Sequence, residues 1–177
     1  MEFQRQKLKD VFLVQSQPFE DERGVFRRGF CESEFESAGV DFRIRQTNIS
    51  ENFKKHTVRG FHYQTPPYGE DKLITPIKGS IYNVIIDLRK ESPTYLEKLI
   101  VELEAKNRNA LLIPNGCATA FMTLSDDTII YYLMSEFFAP GSYTGFPYND
   151  PFFNIEWPFS PSIVSMKDLS MPNFISS

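Results

Sequence analysis

Of the two histidines in the chain, His62 stands among the residues best suited to chemistry. It lies in Arg59-Gly60-Phe61-His62-Tyr63-Gln64, a run that reads as a β-strand. A neutral imidazole titrates near working pH and can take up a proton and release it again. On a strand of period two, Gly60, His62 and Gln64 share one face, and Arg59, Phe61 and Tyr63 the other. An imidazole that faces a barrel interior is costly unless it is hydrogen-bonded or at work. By local sequence alone, a satisfied core or surface histidine is the commoner outcome. His56, beside Lys54 and Lys55, reads as a solvated turn residue.

Lys72 and Arg59 are the next candidates, although such cations are ordinarily exposed. Tyr132 sits in the middle of an apolar run and must be buried on one side. Asp168, in Ser165-Met166-Lys167-Asp168, would by type be a solvated turn residue. None of these residues is decisive singly.

The elements that must position them are short. Pro18, Gly24, Gly39, Gly60, Pro66-Pro67, Gly69, Gly79, Pro93, Pro114, Gly116, Pro140 and Gly145 punctuate the chain at close intervals, as turns between many strands do. Segments 80–88, 99–104 and 128–134 are apolar and rich in β-branched residues or alternate in polarity, so they read as strands. Glu32 to Ala38 reads as a short helix, with Ser33 as N-cap and Gly39 as stop. Many strands with few helices predict an all-β sandwich or jelly roll. A length of 177 residues suits a single domain over 1–177, large enough to fold without a disulfide or metal staple.

Composition narrows the partners. A net charge of −4 and the lack of a basic run argue against nucleic acid. An anionic small ligand needs only a few local cations. Cys31 and Cys117 lack metal-ligand spacing and read as free thiols of a reducing compartment, the cytosol. No apolar leader follows Met1, and no run of apolar residues is long enough to span a membrane.

Taken together, these residues carry a specific resemblance. The matching pieces are Asp21-Glu22-Arg23-Gly24 with Phe26, then Gln46, Asn48 and Ser50, then 59–64 and Lys72-Leu73-Ile74. Segments 87–94, Ile113-Pro114-Asn115-Gly116, Asn149-Asp150, Ile155-Glu156-Trp157-Pro158 and 165–168 follow in order. From Phe19 to Pro172 the chain resembles the dTDP-4-dehydrorhamnose 3,5-epimerase family of the cupin superfamily. The resemblance implies a double-stranded β-helix jelly roll and a homodimer with exchanged N-terminal strands. It also implies a nucleotide-diphosphate 4-keto sugar as ligand, in deoxysugar biosynthesis, with no cofactor. His62 then matches the catalytic base, Asp168 its carboxylate partner, and Tyr132 the acid on the opposite sugar face. Lys72 and Arg59 match cations near the keto oxygen and the phosphates. Arg23, Phe26, Gln46, Asn48 and Lys167 match other binding positions.

The chemistry suits these types. Removing a proton next to a ketone leaves an enolate, which a cation such as Lys72 would stabilise. Many cupins hold a metal with two nearby histidines on one strand, a carboxylate, and a third histidine on a later strand. Here the first strand supplies His62, and 114–121 supplies none, so a metal-independent enzyme is expected.

Four positions depart from the family. Thr119 replaces a histidine, Arg28 and Tyr143 each replace a glutamate, and Phe138 replaces the tyrosine that stacks on thymine. Phe138 keeps an aromatic face, whereas the guanidinium of Arg28 is donor-only and cannot accept from a thymine imide N–H. The proton machinery is thus matched better than the nucleotide-reading machinery, and Thr119 raises the question of whether C3, C5 or both are inverted. A sugar 3,4-ketoisomerase and a non-catalytic nucleotide-sugar-binding cupin are the rival readings.

Overall fold

The computed structural model describes residues 1–175. Its strands are β1 (Glu2–Arg5), β2 (Phe12–Gln15), β3 (Phe19–Asp21), β4 (Gly24–Phe26), β5 (Gln46–Asn52), β6 (Thr57–Gln64) and β7 (Lys72–Lys78). They continue with β8 (Ser80–Asp87), β9 (Lys98–Glu104), β10 (Asn109–Ile113), β11 (Cys117–Thr123), β12 (Thr128–Met134), β13 (Tyr143–Gly145) and β14 (Ile163–Val164). Two short α-helices, α1 (Glu32–Ser37) and α2 (Met166–Leu169), and a single 3-10 turn at Ala105–Asn107 complete the set. One sheet runs β1-β2-β10-β7-β12-β5, and the facing sheet runs β13-β6-β11-β8-β9, with β14 pairing β6 in parallel. The result is a jelly roll, one of the two all-β classes that the strand pattern predicts and the one that the resemblance implies.

Period-two alternation sorts the side chains into layers. Along β8, Ile81 and Ile85 join the core between the sheets with Ile74, Leu111, Phe121 and Ile130. Their neighbours Val84 and Ile86 pack outward with Phe61, Ala118, Ala120 and Phe146. A third cluster lies behind the first sheet, where α1 contributes Phe35 against Phe12, Phe42, Leu73 and Leu133. The N-cap of α1 is Cys31 rather than Ser33, whose carbonyl instead accepts from the Ser37 hydroxyl. The helix ends as expected before Gly39, which takes φ +76°.

The two-face reading of 59–64 needs correction. Thr119 pairs with His62 and Phe121 with Arg59, so two steps on β11 span three on β6. This β-bulge breaks the alternation. Arg59 therefore joins His62 on the inner face, while Phe61 and Tyr63 pack outward. Gly60 permits the bulge: it takes φ +114°, and a Cβ there would stand 2.6 Å from the Thr119 carbonyl oxygen. His56 is the turn residue expected, at φ +60°, but it is half-buried and its ring stacks on Phe159 with centroids 4.3 Å apart.

Candidate active site

Between the sheets lies a cavity of about 310 Å³. One wall carries Gln46, Asn48 and Ser50 of β5, Lys72 and Ile74 of β7, and Tyr132 and Met134 of β12. Register explains the grouping, because Tyr132 pairs with Asn48 on one side and Ile74 on the other, and Met134 with Gln46 and Lys72. The opposite wall carries Arg59 and His62 of β6, Asn83 of β8, and Thr119 and Phe121 of β11. Glu70, Phe138 and Tyr143 complete the lining. His62 and Tyr132 thus reach the same cavity from facing sheets.

His62 is held from behind. Its Nε2 lies 2.9 Å from Asp168 Oδ1, which leaves Nδ1 as the lone-pair nitrogen when Nε2 carries the proton. The other carboxylate oxygen of Asp168 accepts from the Gly60 N–H at 3.2 Å. Asp168 is buried on α2, whose N-cap Ser165 accepts from the Asp168 N–H, so it is not the solvated turn residue its type suggests. Burial alone would raise the Asp168 carboxyl. The bonds from His62, Gly60 and Ser165 outweigh that and hold it below the usual carboxylate value.

Lys72 is also buried, against the ordinary habit of lysine. Its Nζ pairs with Glu70 Oε1 at 3.0 Å and donates to the His62 carbonyl at 3.4 Å. Glu70 accepts in turn from Gln64 Nε2 at 3.2 Å. Arg59 donates to Asn52 Oδ1 at 2.8 Å. Burial pushes the Tyr132 phenol well above its ordinary value, with the Arg59 guanidinium opposing, so the hydroxyl stays protonated. Tyr143 is raised too, first by burial and then by the Asp168 and Glu70 carboxylates. Its ring lies 5.1 Å from that of His62 and 5.3 Å from that of Phe138, and Lys167 Nζ sits 4.7 Å above it.

The cavity therefore gathers His62, Lys72, Tyr132, Gln46, Asn48, Arg59, Thr119, Phe138 and Tyr143, with Asp168 and Lys167 immediately behind. Arg23 and Phe26 lie elsewhere, on the β3–β4 hairpin, and Arg28 is tied to Glu34 of α1. Glu70 and Asn83 were not singled out from the sequence. Each had a signal: Glu70 precedes Lys72 by two, and Asn83 interrupts the inward series of an apolar strand. Among the described residues, no group of three or more His, Cys, Asp or Glu is gathered as a metal would require.

The chain matches the family model described as dTDP-4-dehydrorhamnose 3,5-epimerase over residues 5–176. It belongs to that family. The epimerase of Shigella flexneri is 35% identical over 172 residues, covering 97% of this chain and 94% of its own. That of Methanothermobacter thermautotrophicus is 36% identical, covering 94% and 90%. The crystal structure of the Bacillus anthracis family member, with TDP and PPi bound, superposes with a TM-score of 0.94 at 35% identity, covering 98% of this chain and 99% of that one. A 3'-monoepimerase from Streptomyces bikiniensis, in complex with dTDP-quinovose, gives a TM-score of 0.88 at 29% identity, covering 95% and 85%. The jelly roll is thus cupin-like, and the protein is an isomerase of the sugar-epimerase kind. Its relatives include enzymes described as double and as single epimerases.

Proposed function

We propose that the protein epimerises a nucleotide-linked 4-keto-6-deoxyhexose, with His62 as base and Tyr132 as acid. The observation that carries this reading is the position of the two groups on facing sheets, on either side of one cavity. A flat enolate between them can lose a proton to one wall and gain one from the other, which inverts the carbon. His62 Nδ1 takes the proton next to the carbonyl. The C–H electron pair forms a C=C bond, and the carbonyl electrons move onto oxygen. Lys72 stabilises that oxyanion, an interaction typically worth ~2.7–4 kcal/mol for a preorganised donor. Tyr132 then protonates the carbon from the opposite face as the carbonyl re-forms. Its raised proton affinity does not prevent this step, because an enolate carbon is a stronger base than a phenolate. Both groups return to their resting state by exchange with solvent.

Asp168 orients His62 and stabilises the imidazolium, as the carboxylate does in hydrolase triads. Arg59 is the cation suited to the diphosphate, Gln46 and Asn48 supply polar contacts, and Phe138, Tyr143 and Lys167 form one aromatic-cationic rim. Arg23, Phe26 and Arg28 would reach a site only across a dimer. The β3–β4 hairpin pairs with neither main sheet, yet it exposes Phe19, Val25 and Phe26. Isolated two-stranded hairpins are marginal in water. That supports a homodimer in which hairpins are exchanged, whereas β1 and β2 pair within their own chain.

Incubation in D₂O with a panel of nucleotide 4-keto sugars tests the function. Deuterium at a carbon flanking the ketone, together with the inverted epimer, is expected. Movement of the carbonyl would instead mark a ketoisomerase, and no exchange with any sugar would mark a binding protein.

A further inference from the structure

Asn83 occupies an inward position of β8, between Ile81 and Ile85, and has no solvent exposure. Both isoleucines belong to the apolar core, so an amide here is costly unless it has partners. Thr119 is the inward residue of β11 between Cys117 and Phe121, and its register partner on β6 is His62. Asn83 Nδ2 lies 3.3 Å from Thr119 Oγ1, which is itself 3.4 Å from Asn83 Oδ1 and 3.3 Å from the Val84 carbonyl oxygen. All three contacts are at the long end for hydrogen bonds. One hydroxyl proton cannot serve both oxygens, and the amide brings two N–H donors and a carbonyl with two lone pairs. The pair therefore retains donor and acceptor capacity, which half-buried Thr119 presents to the cavity beside the base, with fully buried Asn83 directly behind it.

We propose that the Asn83–Thr119 pair receives the C3 hydroxyl of the sugar and so presents the C3 proton, rather than the C5 proton, to His62. The inference rests on the epimerase reading above. The two carbons flanking a C4 ketone differ in what they carry. C3 bears a hydroxyl, whereas C5 bears the ring oxygen and a methyl group. A hydroxyl both donates and accepts, so it satisfies the pair. A methyl group in the same place would leave the pair's remaining donor and acceptor capacity unmet beside the cavity, which sites built on hydrogen bonds disfavour. Ile74, Phe121 and Met134 give the same cavity apolar surface on which the methyl can rest. Asn83 and Thr119 are thus specificity-determining residues for the position of proton abstraction.

The test follows deuterium uptake at C3 and C5 by NMR, using a nucleotide 4-keto-6-deoxyhexose in D₂O. The wild type should label C3 faster than C5. Thr119→Val keeps the shape and removes the hydroxyl. It should lower the C3:C5 initial-rate ratio about tenfold, the effect of one ordinary hydrogen bond, and Thr119→Ser should keep the ratio near wild type. Asn83→Leu should lower it too, but Thr119→Val is the gentler change if that variant folds poorly. Equal labelling by the wild type, or a ratio within roughly twofold of wild type in folded Thr119→Val, overturns the inference while leaving the epimerase reading intact. Failure of the wild type to label either carbon with any sugar of the panel overturns both.

Discussion

As base and acid, His62 and Tyr132 would act in sequence on one enolate, so their removal should separate exchange from inversion. His62→Asn should abolish both deuterium uptake and epimer formation, with a loss of ~10²–10⁴-fold. Tyr132→Phe should lose most epimer yet keep some uptake, because His62 can still take a proton and return it to the same face. Asp168→Asn should lower both through a misoriented imidazole, with little change in their ratio. Purely structural roles predict unfolding or no effect, and never the split. Wild-type rates in a folded His62→Asn variant would end the mechanism. Nucleotide reading is a second residue-scale matter. Arg28 is engaged by Glu34, and Tyr143 packs beneath Lys167, at two positions where the resemblance leads one to expect carboxylates. Thymine selectivity should therefore be weak in competition among dTDP, UDP, CDP and GDP. A clear dTDP preference would mean that other residues read the base.

Two elements, one at the site and one away from it, each make their own prediction. The bulge in β6 turns Arg59 and His62 to one wall, and it depends on a residue without a Cβ at Gly60. Gly60→Ala should cost ~1–3 kcal/mol by overpacking against β11, read as a lower urea midpoint. It should also cut activity, because the Gly60 N–H serves Asp168. The turn after β8 is held by Asp87, which is fully buried and accepts from Arg89 at 2.8 Å, Ser92 at 2.6 Å and Thr94 at 2.7 Å. Burial alone would raise its carboxyl, but these bonds together bring it down to about 2 from an ordinary 3.8. A depressed folded value means stability that is present above pH 3.8 and lost as pH falls toward 2. Asp87→Asn should thus destabilise the protein at neutral pH by ~2 kcal/mol, the linkage value of a carboxyl held at about 2 rather than 3.8. The difference should shrink as the pH approaches 2, so parallel denaturation curves down to that pH would refute the assignment.

At the scale of the whole molecule, the exposed hairpin is the feature a lone chain does not explain. Phe26 is 78% exposed and Phe19 63%, on strands that join neither sheet. A dimer that buries them should be visible by light scattering at micromolar concentration. Replacing both with Asp should shift it toward monomer and lower activity together, because Arg23 and Phe26 travel on the same hairpin. A wild type that is fully active as a monomer would remove the exchanged-hairpin reading.

The all-β class, sandwich or jelly roll, was legible in the residues themselves, whereas the roles expected of His62, Lys72, Tyr132 and Asp168 came from the resemblance, since none of these residues is decisive singly. Turn residues, β-branched runs and motif order are local properties of a chain. Segment 128–134 is a strand to the residue, because its apolar run ends where its turn signals begin. Which face a side chain takes is less local. Arg59 follows from a register slip against β11, which depends on how two distant segments pair. The burial of Asp168 and Lys72 depends on the groups that meet them, His62 and Gly60 for one and Glu70 for the other. The pairing of Asn83 with Thr119 likewise arises only when β8 lies beside β11. Short-range sequence determined which groups the protein has and which elements carry them. Tertiary pairing decided which groups share one cavity, because burial and hydrogen-bond partners are set by contacts between residues far apart in the chain.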